Sequence, residues 1–271
     1  MSDSAHEEGY YGEYDRDDPH AFPDDRLHTI LDILSADPEV QTYIEAQNVN
    51  PVSRLNYNDH GPNHIEIVSS RALALYDLLK RADIPFTGAA DQGLEQADEA
   101  VIVGVAAMLH DIGYVVHRDA HSHWSVPLAA DVLTRVLAEI YETPELVRIR
   151  GEILHAIVCH HVDEQPLTTE AGIVRVADGL DMERGRSRHP YESGGRGINT
   201  VSSRAIEAVH LFEGDEVPVR VEIEMTDAAG VYQVDTLLKA KLIGSGLEDV
   251  IRIVAVHVES SEDHIVERLE L

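Results

Sequence analysis

Between Glu95 and His110 the chain reads as one helix, almost wholly apolar from Val101 to Leu109, and it ends on two ionisable side chains, His110 and Asp111. A helix that is apolar all round has to be surrounded by other elements. The histidine and the aspartate are then carried inside with it. Burying an imidazole and a carboxylate without partners is costly, so a metal ion or a set of matching polar groups is expected at that helix end.

Further helices are legible around it. Asn63 to Arg81 places Ile65, Val68, Ala72, Leu75 and Leu79 on one face, and Pro62 suits the first turn. Ser125 to Ile140 and Leu146 to His160 continue the helical period, and Thr168 or Thr169 is expected to cap a helix running to Arg184. Short helical patterns occupy Asp24 to Gln47. After Gly194 the period changes. Val217, Val219, Val221, Ile223 and Met225 alternate with polar residues, as do Ile251 and Ile253 and, loosely, Val256 and Val258, which predicts strands with one wet face. Val234 to Ile243 reads as helix between them. The expected fold is mainly α: a helical bundle over 24–192, a Gly-rich linker over 193–205 and a small α+β unit over 206–271. Residues 1–23, acidic and poor in aliphatics, read as a disordered tail.

Composition narrows the partners. Asp and Glu total 50 against 21 Lys and Arg, for a formal net charge of −29, and only Lys80, Lys239 and Lys241 are lysines. Scarce lysine and abundant carboxylate point to a halophilic, salt-rich cytoplasm, where the self-repulsion is screened. The same charge argues against general nucleic-acid binding and against anionic membranes. The first thirty residues show no basic segment followed by an apolar run, so no secretory signal is expected. The single cysteine, Cys159, fits a reducing cytoplasm.

Most of the 16 histidines fall between His60 and His161. His64 lies near the start of its helix with His60 four residues before it, and Asp178 sits among apolar helical neighbours in VRVADGLDM. His64, then His110–Asp111, then Asp178, on successive helices, resembles the HD domain of metal-dependent phosphohydrolases, with HGPNH, LHDIG and VADGLD in the family's order. The resemblance covers residues 50 to 185, and the run from GRSRHPYESGG onward looks like an uncharacterised archaeal subset. It implies an HD helical bundle in which His64, His110, Asp111 and Asp178 hold one metal ion.

Further residues resemble the enlarged site of the dinuclear HD-GYP phosphodiesterases. His121 stands where an extra metal-binding histidine occurs, and His160 and His161 where a His–His pair occurs. The chain departs from that group after His161, where Val162-Asp163-Glu164 stands and no Gly-Tyr-Pro motif follows. By this likeness Asp111 bridges two ions and Asp111 and His121 are catalytic, while His60 and Asp181 orient the ligands. His117, His123 and His155 are left undecided. An imidazole-rich set favours one or two ions of Mn, Fe, Co, Ni or Zn.

The function implied is hydrolysis of a nucleotide or another small anionic phosphoester through a metal-activated water. Arg184, Arg186 and Arg188, in the basic run after Asp178, are expected to bind phosphate. Two other readings stay open: a regulatory HD module that binds metal or nucleotide without turnover, and a di-iron oxygenase on the same fold. An exposed sheet edge in the α+β unit would suit a homodimer.

Overall fold

In the computed structural model, residues 21–184 and 202–257 are described, together with the backbone of 267–270. The helical part runs α1 (Arg26–Ala36), α2 (Pro38–Ala46), α3 (Pro62–Arg81), α4 (Thr87–Asp91), α5 (Gln96–Leu109), α6 (His121–Val136), α7 (Glu145–Cys159) and α8 (Thr169–Leu180). Local chemistry sets several boundaries. Pro62 opens α3. Glu95 and Asp98 form a reciprocal cap on α5, and the Thr168 hydroxyl accepts the Ala171 N–H at 3.3 Å to start α8.

Helix α5 is the central one. Ala100 to Leu109 are buried throughout, and α1, α3, α7 and α8 all pack against it. Its apolar sequence thus led correctly to its place in the bundle.

The C-terminal unit is a four-stranded sheet, β1 (Ile206–Glu213), β2 (Val219–Met225), β3 (Ile251–His257) and β4 (Glu267–Glu270), in that order. β1/β2 and β3/β4 are antiparallel and β2/β3 is parallel. A parallel pair needs a crossover. Here it is a turn at Ala228–Gly230, a π-helical stretch Gln233–Leu238 and α9 (Lys239–Leu242). The buried positions of β2 are Val219, Val221, Ile223 and Met225, the alternation expected from the sequence. Its core is continuous with that of the helices: Val209, Leu211, Val221 and Ile253 join the same apolar cluster as Leu73, Leu109 and Ile173.

Two glycines on α8 let the crossover lie close. A Cβ at Gly172 would stand 2.3 Å from the Ser245 carbonyl oxygen, and one at Gly179 would stand 2.9 Å from Lys241 Cδ. They are seven residues apart and share one helix face.

Some expectations need correction. Helix α6 begins at His121 rather than Ser125, and α8 ends at Leu180 rather than Arg184. Ala21 and Phe22, assigned to the tail, are buried in the core; the remainder of that tail, residues 1–20, lies outside the described residues, as does most of the linker. No helix among the described residues is long and apolar enough to cross a membrane.

Candidate metal centre

Four histidines reach the centre from helix ends. His110 and His160 are the C-terminal caps of α5 and α7. Each turns Nδ1 back onto the carbonyl three residues earlier: His110 to Ala107 at 2.8 Å and His160 to Ile157 at 2.6 Å. These carbonyls belong to the last turn, where no helical N–H remains for them. The ring satisfies its helix with one nitrogen and offers the other to the centre. His64 and His121 lie in the first turns of α3 and α6. His64 Nδ1 donates to Asp181 Oδ2 at 2.5 Å, and His121 Nδ1 to the Arg118 carbonyl at 3.0 Å.

With Nδ1 protonated in all four, every Nε2 presents a lone pair. They meet in two pairs. His64 Nε2 stands 3.2 Å from His110 Nε2, and His121 Nε2 stands 3.0 Å from His160 Nε2. Asp111 lies between the pairs. Its Oδ2 is 3.2 Å from His64 Nε2 and 3.5 Å from His110 Nε2. Its Oδ1 is 3.3 Å from His121 Nε2 and 3.5 Å from His160 Nε2. Asp178 Oδ1 joins the first group, 3.4 Å from His64 Nε2.

Acceptors aimed at acceptors repel unless a cation lies among them. Burial pushes the His110 pKa down to about 4 against the pull of Asp111. Burial likewise holds His121 well below the usual imidazole range. Both rings are therefore neutral near pH 7. Asp111 is held well below the usual carboxylate range; burial opposes this, but the neighbouring His110 and His60 outweigh it. Ligand atoms about 2.1 Å from an ion, at right-angle to tetrahedral openings, stand about 3.0–3.4 Å apart. Most of the observed separations, 3.0–3.5 Å, lie in or close to this range, while His110 Nε2 and Asp178 Oδ1 stand wider, 4.0 Å apart; the donor set fits divalent transition metals.

Surrounding side chains hold this set in place. His60 Nδ1 donates to Asp111 Oδ2 at 2.7 Å, and its Nε2 lies 3.3 Å from the Tyr114 hydroxyl. His60 precedes α3 rather than extending it, and the Asn48 side chain fixes its backbone N–H at 2.7 Å. Ser125 Oγ accepts the Gly113 N–H at 2.8 Å and lies 2.6 Å from the His110 carbonyl. A Cβ at Gly113 would stand 2.1 Å from the His121 carbonyl oxygen, so only glycine lets α6 start this close. Ala120, just before it, takes a left-handed φ of 58°.

The other expected residues lie further out. His161 is half-buried, pairs with Asp163 at 3.1 Å and lines the cavity beside His121 without joining the close groups. His123 is exposed and 3.3 Å from Glu164. His155 accepts the Leu167 N–H at 3.1 Å, and His117 the Asp119 N–H at 3.0 Å. Arg184 pairs with Glu207 and is not among the residues that line the cavity. Arg186 and Arg188 lie outside the described residues.

The cavity over the centre has a volume of about 610 Å³. Tyr57, Tyr114, Arg118, Gln233 and Lys241 are among its walls, and none was singled out as a site residue from sequence. Tyr114 follows LHDIG directly and was within reach of a closer reading. Arg118 lies over the Tyr57 ring at 4.3 Å.

The HD-domain family model matches residues 77–183. An uncharacterized protein of Methanocaldococcus jannaschii is 37% identical over 226 residues, 83% of this chain and 87% of that one. The chain belongs to the HD-domain family. Ribonuclease Y of Desulforudis audaxviator is 29% identical over 136 residues, 47% of this chain and 24% of that enzyme. Ribonuclease Y of Nitratiruptor sp. is 29% identical over 162 residues, 57% of this chain and 28% of that enzyme. The chain therefore spans about a quarter of these ribonucleases. No solved structure matches it. The matched HD span contains His110, Asp111 and Asp178 but begins after His64.

Proposed function

We propose that this HD-domain protein is a metal-dependent phosphohydrolase acting on a nucleotide or another small phosphoester. The observation that carries the reading is the two imidazole couples, each meeting Nε2 to Nε2, on the two oxygens of Asp111. Members of the family are typically metal-dependent phosphohydrolases.

His64, His110, Asp178 Oδ1 and Asp111 Oδ2 would hold one ion, and His121, His160 and Asp111 Oδ1 a second. A divalent ion supplies positive charge that lowers the pKa of water from 15.7 toward about 7 and offsets charge on phosphoryl oxygens. The chain's own part is to fix the ligands. Asp181 keeps the His64 proton on Nδ1, and His60 keeps Asp111 turned with one oxygen to each side.

Substrate size and charge support a small ester. The cavity of about 610 Å³ lies within the range of small-molecule sites, roughly 300–1,000 Å³. A net charge of −29 disfavours a long polyanion such as RNA. The test is phosphate release from mononucleotides, a phosphodiester and an RNA oligomer with added Mn, beside O₂ consumption with Fe. Release from the small esters is expected. O₂ uptake without phosphate release would replace the reading with an oxygenase, and neither activity would leave a binding module.

A further inference from the structure

Lys241, one of three lysines in the chain, lies on α9 in the crossover of the C-terminal unit. Its ammonium contacts Asp178 Oδ2 and donates to the His160 carbonyl at 3.0 Å. It thus stands between the end of α8 and the end of α7, against one carboxylate from the first group and the backbone of a histidine from the second. Asp178 turns its other oxygen, Oδ1, toward His64, so the lysine leaves the ligand oxygen clear.

An ammonium carries three N–H donors. Two are taken by Asp178 and His160, and the side chain, 16% exposed, lines the cavity. The position is built rather than incidental. Gly179 leaves room for the lysine stem. Arg175 Nη2 donates to the carbonyls of Ala240 at 3.3 Å and Ile243 at 3.4 Å, which ties α9 to α8.

We propose that Lys241 binds phosphate, giving its third N–H to a non-bridging oxygen of the substrate, and that the C-terminal unit is thereby one wall of the active site. This rests on the phosphohydrolase reading. Gln233, Thr236 and Leu237, from the same crossover, line the cavity beside it and face the part of the substrate beyond the phosphoryl group.

The test is calorimetric titration of inorganic phosphate into Mn-loaded parent, Lys241→Met and Lys241→Arg, with metal content measured on each. Losing one charge-assisted contact should weaken phosphate binding roughly ten- to a hundredfold in Lys241→Met, with metal unchanged, and Lys241→Arg should recover most of it. On a phosphoester the loss should fall on KM more than on kcat. Phosphate affinity equal to the parent's would overturn the proposal, as would metal loss in Lys241→Met, since the lysine would then serve only to hold Asp178. If Lys241→Met does not fold, Lys241→Gln keeps a hydrogen-bonding group to Asp178 without the charge and gives the same reading. A parent that hydrolyses phosphoesters but binds no phosphate sinks the lysine assignment alone. A parent that binds phosphate through Lys241 and hydrolyses nothing sinks the hydrolase reading alone.

Discussion

The two sides of Asp111 are built from the same residue type but braced differently. On the Oδ2 side, His64 and His110 are joined by Asp178, and His64 is held by the carboxylate of Asp181 at 2.5 Å. On the Oδ1 side stand His121 and His160, whose Nδ1 atoms are held by the backbone carbonyls of Arg118 and Ile157. A carboxylate behind a histidine raises its basicity more than a neutral carbonyl does. Asp178 also gives the first side a second negative ligand. If Asp111 bridges two ions as proposed, the difference implies two unequal positions, with the one beside Asp178 and Asp181 the tighter.

The largest effect expected is that of Asp111→Ala. Its two oxygens serve both positions, so both ions should be lost and activity should fall to background, as metal analysis beside a phosphate-release assay would show. Next in size are the variants that separate the positions. Asp178→Ala should empty the first, whereas His121→Ala or His160→Ala should empty only the second. Parent-like metal content and turnover in both histidine variants would show a single-ion site and break the comparison. Smaller again is Asp181→Asn, which removes the charge behind His64 but keeps an acceptor. Metal affinity at the first position should drop roughly tenfold to a hundredfold. An equal loss at the second position would mean that the two sides are not braced independently.

The smallest effect is read in metal-stripped protein. Burial holds His110 at about 4, against 6.5 for an ordinary histidine. Between those values the unfolded chain binds a proton that the folded chain refuses. Stability is thus fully present above pH 6.5, falls as the pH drops toward 4, and levels off below. The loss from this group is about 3 kcal/mol at most. Urea unfolding at pH 7, 5.5 and 4.5 measures it. A flat profile would show that His110 is already charged in the fold, and the acceptor-to-acceptor geometry would lose its meaning.

Much of this site was legible because it lies where local patterns end. The apolar run of α5 led to His110 and Asp111, and Pro62 led to the helix bearing His64. The end of α8 was misread because VADGLDMER keeps a helical period past the point where Asp181 turns out to meet His64. The start of α6 was misread because Ala120 carries a left-handed turn with no glycine to mark it. Strand β1, Ile206–Glu213, lacks clean alternation. Lys241 belongs to a third kind of miss: its distance of 63 residues from Asp178 is closed only by packing against Gly172 and Gly179. Its rarity in the chain was a signal, but periodicity cannot say which of three lysines turns inward.

Three helices bring their C-termini to the centre, α5, α7 and α8, and two their N-termini, α3 and α6. Each helix end carries about half an elementary charge, negative at the C-terminus and positive at the N-terminus. The five ends leave only about half a negative charge, and the local field is set mainly by Asp111, Asp178, Asp181, Lys241 and the ions these residues would gather. With divalent ions bound that centre would be positive, within a chain whose formal charge is −29. An anionic substrate must climb a repulsive potential before it is captured. Salt shortens the reach of that potential from about 10 Å at 0.1 M to about 3 Å at 1 M. Association should accordingly speed up as salt rises, the reverse of what is seen when an enzyme steers its substrate by attraction.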